Sequence, residues 1–308
     1  MRKLLLIMGD LATGKSTFAG QLSRRYGTNV FYKDTIKEVL GDTIGFRDRE
    51  ENLKLSRATG ELMAFLFGEL GMGPQRDFAA AVADRLRGAI REHLLDYGTM
   101  TAIGNCQTSQ AMAIHYGIFE PGERPAAFQK LLQFIRESGD KMDVGVLGAR
   151  VLFHVLAESG HTELALKLIR GPEFPSYGYW LECGATSLWE NFFPGDVADS
   201  RNHHFWGDIS HFFIRQLAGI RLDPTGRDVN RLDIVPRFPE SLSHAEGWYR
   251  APAGEVRSAW VREGEIIRLT LEIPQGMKGR ILPEPGYSFT DGFHTKPLAS
   301  GTWLLKKL

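Results

Sequence analysis

Gly184-Ala185-Thr186-Ser187-Leu188-Trp189-Glu190 places a carboxylate directly behind an indole, at the end of a run of small residues. Two further strings flank it, Pro175-Ser176-Tyr177-Gly178-Tyr179 before and Asn202-His203-His204-Phe205-Trp206-Gly207 after. Farther upstream stand Gly104-Asn105-Cys106-Gln107-Thr108-Ser109-Gln110-Ala111, Asp143-Val144-Gly145-Val146-Leu147-Gly148 and Glu158-Ser159-Gly160-His161-Thr162. Downstream come Gly219-Ile220-Arg221 and Val235-Pro236-Arg237.

Between the strings the chain reads as helix. Asp77 to Leu95 carries Phe78, Ala81, Val82, Leu86, Ile90 and Leu94 at the spacing of an amphipathic helix. Gln107 to Tyr116 ends at Gly117, a C-cap, and Ala126 to Arg136 stops near Gly139. Gly148 to Ala157, Glu163 to Ile169 and Phe205 to Leu217 follow. Helices joined by short Gly, Pro and Asp turns predict an α/α toroid or a plain bundle, and no fixed period names a repeat family.

Taken in order, the strings decide between these. Over residues 75 to 308 they resemble the C-terminal half of the catalytic (α/α)₆ barrel of bacterial α-L-rhamnosidases and the β domain that follows it. The resemblance implies inverting hydrolysis of terminal α-L-rhamnosides, a rhamnoside or other carbohydrate as partner, and no cofactor for that reaction. In such enzymes the Glu of the Ala-Thr-Ser/Thr-x-Trp-Glu string activates water, a role that falls on Glu190. The resemblance also places His203 near the bound sugar, and Trp189 and Trp206 offer apolar faces to line the site, although each also reads as core. Inversion needs a second, protonated carboxyl about 6.5–9.5 Å away. About half of such a barrel fits between residues 75 and 220, the acid-bearing half is not found, and no residue is assigned as the acid. The connection Asn191 to Arg201 is also shorter than expected for the family.

The C-terminal segment predicts a small antiparallel β-sandwich. Ile267, Leu269, Leu271 and Ile273 alternate with Arg268, Thr270 and Glu272, while Val256 and Trp260 bracket a second strand. Arg262-Glu263-Gly264-Glu265 between them reads as a hairpin turn. Further strands are expected around Leu232 to Val235, Arg280 to Leu282 and Trp303 to Leu305.

The N-terminus tells a different story. Gly9-Asp10-Leu11-Ala12-Thr13-Gly14-Lys15-Ser16, directly after the apolar run Leu4 to Met8, has the form of a P-loop. Gly9 and Gly14 permit turns that aim backbone N–H groups at phosphates, Lys15 supplies charge, and the Ser16 hydroxyl suits Mg²⁺, with Thr17 beside it opening a helix. ATP with Mg²⁺ is the implied ligand. Together with Phe31 to Leu40 and Glu51 to Leu66, this piece resembles the N-terminal part of small P-loop kinases related to zeta toxins and chloramphenicol phosphotransferase. That resemblance makes Asp34 the base for an acceptor hydroxyl, and Asp34 also reads as the N-cap of Thr35 to Leu40. The remaining βα units, a second metal carboxylate and a basic lid are not found, so phosphoryl transfer is not expected.

The expected organisation is therefore an incomplete P-loop α/β segment (1–70), a partial α/α toroid (71–222) and the β-sandwich (223–308). A chain of 308 residues has room for about two domains, and 43% hydrophobic with 24% charged residues is ordinary globular composition. Lys plus Arg and Asp plus Glu number 37 each, which leaves no basic field for nucleic acid or anionic lipid. Cys106 and Cys183 are too few for a disulfide framework and fit a reducing compartment. The apolar run before Gly9 is shorter than a secretory core, and no stretch reaches membrane-spanning length, so a cytoplasmic protein is expected. Three functional classes follow: a rhamnosidase-type glycosidase, an ATP-binding kinase-like protein, and an inactive fusion or truncated chain.

Overall fold

A computed structural model describes Arg25 and residues 73–193, 199–222 and 228–308. The chain divides into two compact units, Met1–Ala89 and Ile90–Leu308. Helix α1, Gly73–His93, is the part of the first unit that is described at length, and its last turns belong to the second.

The second unit opens with a two-residue hairpin, β1 (Leu95–Asp96) against β2 (Thr101–Ala102). Helices α2 (Gln107–His115), α3 (Arg124–Glu137), α4 (Val146–Glu158) and α5 (Thr162–Arg170) follow. Helix α4 is buried almost all round, from Val151 through Ala157 and at Gly148 and Ala149, as an inner helix must be. It packs on α2 on one side and α5 on another, and α3 covers α2. The outer helix α3 buries only one stripe, Ala127, Phe128, Leu131, Leu132 and Ile135, at i, i+3 and i+4 spacing. Two layers of helices are the arrangement expected of a toroid segment.

Buried amides pin these layers. Gln110 accepts from the Ala102 N–H (2.8 Å) and donates to the carbonyls of Met100 (2.9 Å) and Ala127 (2.8 Å). Gln107 does the same for the α3–α4 connection, donating to Ser138 and the Lys141 carbonyl and accepting from Asp143 N–H. A buried amide with every partner in place fixes one packing geometry, because leaving any of these groups unpaired costs about 1–3 kcal/mol.

Among the departures from expectation, three bear on the architecture. A short helix, α6 (Tyr177–Glu182), forms where none was predicted, capped by the Ser176 hydroxyl accepting from Tyr179 N–H. The single helix expected over Phe205 to Leu217 instead changes winding, from a 3₁₀ turn (His204–Asp208) through α7 (Ile209–Phe212) to a π turn (Phe213–Leu217). The wider last turn buries both Gln216 and Leu217, and Gln216 reaches the ring of His154 (3.1 Å).

The third departure is in the β domain. It has two sheets around one core, as a sandwich should, but they are not purely antiparallel. Strands β5 (His244–Ala251), β6 (Gly254–Glu263), β7 (Ile266–Glu272), β11 (Gly301–Lys307) and β9 (Tyr287–Phe289) make one antiparallel sheet in that order. The second is β10 (Lys296–Pro297), β8 (Arg280–Ile281), β4 (Leu232–Ile234) and β3 (Ile220–Leu222). Here β4 and β8 pair in parallel at Ile234 and Ile281, because the chain crosses the other sheet between them. Trp260, Val256, Leu269, Leu305, Ile234 and Ile281 fill the space between the sheets. Gly219 makes the passage from helices to sheet possible: its φ is +80°, and a Cβ there would lie 2.2 Å from the Pro236 nitrogen. Leu242 and Ala245 touch both the helical and the β core. Among the described residues no helix is long and apolar enough to cross a membrane.

Candidate active site

Helix α6 stops at Cys183 and Gly184, with Ala185 N–H returning to the Trp180 carbonyl (2.9 Å). The chain then runs without helix or strand to Glu190, where two backbone hydrogen bonds tie it to the returning segment. Glu190 N–H donates to the Ser200 carbonyl (2.8 Å) and His203 N–H to the Leu188 carbonyl (2.7 Å), with the Ser187 hydroxyl also donating to the Arg201 carbonyl. These bonds bring Glu190 Oε1 to 3.8 Å from His203 Nδ1, despite the short connection between them. The Glu190 side chain is 42% exposed and that of His203 19%. His203 Nδ1 is buried without a hydrogen-bond partner. An accessible carboxylate beside an oriented imidazole can accept a proton from water while the ring orients a ligand hydroxyl.

Trp189 and Trp206 do not stand as sugar platforms. They are 5% and 3% exposed, inside a cluster in which Trp180 and Phe192 stack at 4.3 Å and Phe192 meets Trp206 edge-on at 4.7 Å. Trp206 and its neighbour Trp180 hold the backbone: Trp206 Nε1 donates to the Glu190 carbonyl (3.0 Å), and Trp180 Nε1 to that of Asn191 (2.9 Å), while Trp189 packs against Trp180 at 6.4 Å. Tyr177 Oη in turn donates to the Trp206 carbonyl (3.1 Å). An indole buried with its N–H satisfied is a structural member, whatever its place in a motif.

Sequence reasoning missed a second polar cluster. His154 of α4, Asp208 of the 3₁₀ turn and His211 of α7 bring a donor atom each within 4.8 Å of one another. The set has the residue types of a transition-metal site, but its hydrogen bonding says otherwise. The Gln216 amide oxygen accepts from Arg221 (2.9 Å) and its nitrogen donates to Glu158 (3.1 Å), so that nitrogen also donates to His154 Nδ1 (3.1 Å). Nδ1 is therefore the acceptor, and Nε2, which faces no partner, carries the proton instead of a lone pair. Spaced over three elements, this group leaves no trace in the linear sequence.

Burial, reinforced by His211, Arg215, His115 and Arg221, pushes the His154 pKa down to about 3, with Glu158 and Asp208 the acidic groups nearby. Burial also lowers His115 and His211. A base whose folded pKa lies below its unfolded value binds more protons when unfolded, so its stabilising effect is present above about pH 6.5 and is lost as pH falls towards 3. Between pH 7 and pH 4, His154 alone is expected to remove about 3 kcal/mol, read as a falling urea midpoint. A His154→Gln variant should flatten that slope, and an unchanged slope would show that other groups carry the acid sensitivity.

The P-loop and kinase residues, Gly9, Gly14, Lys15, Ser16, Thr17 and Asp34, lie outside the described residues. The model of the bacterial alpha-L-rhamnosidase 6 hairpin glycosidase domain matches residues 60–217, and that of the alpha-L-rhamnosidase C-terminal domain matches residues 220–292. Neither match reaches the P-loop, and the first begins inside the stretch 51–66 that resembled a kinase. An alpha-L-rhamnosidase of Formosa agariphila is 26% identical over 253 residues, which make up 78% of this chain and 26% of that protein. One from Alteromonas sp. is 25% identical over 198 residues, 62% of this chain and 21% of that protein. The solved alpha-L-rhamnosidase of Dictyoglumus thermophilum superimposes with a TM-score of 0.66 at 20% identity, covering 85% of this chain and 32% of that one. That of Streptomyces avermitilis, complexed with L-rhamnose, gives 0.64 at 22% identity, covering 82% and 26%. The chain thus spans about a third or less of the length of each of these relatives.

Proposed function

Because the chain belongs to the bacterial α-L-rhamnosidase family, we propose that it acts on terminal α-L-rhamnosides by inverting hydrolysis, with Glu190 as the base that takes a proton from the attacking water. The observation that carries this reading is the placing of Glu190: a half-exposed carboxylate 3.8 Å from His203, on a backbone tied at both edges. His203 is the group that orients a sugar hydroxyl. Trp206 and Trp180 act behind them as positioning residues, through the carbonyls of Glu190 and Asn191.

No described carboxylate is assigned as the acid, so leaving groups that depart without protonation should react best. We expect 4-nitrophenyl α-L-rhamnoside to be hydrolysed at least 10-fold faster than a simple alkyl α-L-rhamnoside, with β-L-rhamnose as the first product seen by proton NMR. First release of the α-anomer, or no turnover above the uncatalysed rate, would defeat the proposal.

A further inference from the structure

Two strings of the sequence, Gly219-Ile220-Arg221 and Val235-Pro236-Arg237, have no part in the Glu190 chemistry, yet the fold gathers their arginines at one residue. Ile220 and Ile234 pair in the sandwich core, so strand alternation puts Arg221 and its cross-strand partner Asp233 on the other face of that sheet. There the Arg221 guanidinium donates to Gln216 Oε1 (2.9 Å), and the Arg237 N–H donates to the carbonyl of the same Gln216 (2.9 Å). Burial, and then the charges of Arg237 and Arg215, lower the Arg221 pKa to about 10, so the two guanidiniums stand close enough to repel each other.

Their donors are poorly answered. The Arg237 side chain is 8% exposed, yet among the described residues its one ion-pair partner, Glu284, stands 3.7 Å away, beyond hydrogen-bond reach. Glu284 Oε1 is taken by the Phe238 N–H (2.7 Å), and burial raises the Glu284 pKa in spite of that bond and of Arg237. Arg237 Nε and Arg221 Nε are both buried without a partner. Nor do the other acids at hand make up the lack, because Glu158 is shared between Arg215 (3.4 Å) and the Gln216 amide (3.1 Å), and Asp233 is held by Arg280 (3.0 Å). A guanidinium carries five N–H donors and a charge that is costly to bury unpaired. What this pair lacks is acceptors bearing negative charge, and an oxyanion matched to the guanidinium fork supplies both. We propose that Arg221 and Arg237 bind a small oxyanion, such as inorganic phosphate, where the π turn meets the β domain. Arg221 is only half-buried, which gives the ion its way in from solvent. The site is independent of Glu190 and of the hydrolysis assigned to it.

The test is thermal melting of the full chain in rising inorganic phosphate, with ionic strength held constant by sodium chloride. A ligand that binds only the folded form stabilises it by mass action, so phosphate at about 100 times its Kd should raise Tm by roughly 5–10 °C. Parallel titrations with sulfate and acetate tell a tetrahedral oxyanion from a carboxylate. Arg237→Met and Arg221→Met should each weaken the apparent affinity about 10-fold or more, the loss of charged hydrogen bonds to the ion. Arg221→Lys, which keeps the charge and gives up the fork, provides a milder arm should a methionine variant not fold, and it too should bind more weakly. Arg268→Met, on the outer face of β7, should leave the response unchanged. No shift with any of the three anions beyond that of chloride overturns the proposal. So does a shift that persists undiminished in the Arg221 and Arg237 variants, or one lost only in Lys15→Ala, which would place the ion at the Gly9 to Ser16 segment.

Discussion

Glu190→Gln is expected to lower rhamnoside hydrolysis by roughly 10²–10⁴-fold, the range associated with loss of one general base, without weakening the fold. The amide has the shape of the carboxylate but cannot take a proton. Every strong tie at this position is made by the backbone, N–H to Ser200 and carbonyl from Trp206, and none of these bonds involves the atoms that change. The loss should therefore fall on kcat with KM little altered, because the carboxylate acts in the transition state more than in the bound complex. Thermal melting of parent and variant by circular dichroism provides the control. A substrate whose leaving group departs readily still needs an activated water, so the collapse should persist with 4-nitrophenyl rhamnoside. Unchanged kcat in a folded Glu190→Gln protein would remove Glu190 from the reaction.

Trp206→Ala should cost about 3–5 kcal/mol of stability, the usual range for emptying a buried aromatic site. The ring is 3% exposed and meets Trp180, Phe192 and Tyr177 within 6.0 Å between centroids. Its N–H also holds the Glu190 carbonyl, so the alanine variant loses packing and a clamp on the segment that carries Glu190 together. Trp206→Phe separates the two, keeping most of the packing while giving up a hydrogen bond worth about 1 kcal/mol. Urea unfolding measures the first effect and kcat the second. Were the alanine variant within 1 kcal/mol of the parent, the indole would be a surface residue and the described packing wrong.

The legible parts of the fold were those where spacing alone determines burial. The first helix announced itself by apolar positions three and four apart, the next two by the glycines that end them, Gly117 and Gly139, at φ +68° and +76°. The β6–β7 hairpin was equally plain, since Val256, Ser258 and Trp260 face inward opposite Ile267, Leu269 and Leu271. Strand β5 was hidden because three of its four inward residues, Ala245, Gly247 and Ala251, are small, with only Tyr249 large, while the outward-facing Trp248 blurs the alternation. Helix α6 was hidden by its brevity and by Gly178 inside it, where a Cβ would strike the Arg170 and Gly171 carbonyls. At the site, the string around Glu190 pointed to the carboxylate and to His203, but nothing in a sequence tells whether an indole faces a ligand or its own core. The burial of Trp189 and Trp206, with the Trp206 N–H on the Glu190 carbonyl, decided that. The parallel pairing of β4 with β8 depends on a crossover that local patterns do not encode.

The bonds that tie residues 188 and 190 to residues 203 and 200 hold the two segments side by side, and the carboxylate and the imidazole sit at that tie. The number of residues between Phe193 and Asp199 can then change without cutting either of these bonds or the packing of Phe192 on Trp180 and Trp206. Such a place lets a lineage lengthen, shorten or replace a segment while the spacing of Glu190 and His203 stays put. Changing the length of the sequence between Phe193 and Asp199 should therefore leave the 3.8 Å approach of Glu190 to His203 as it is.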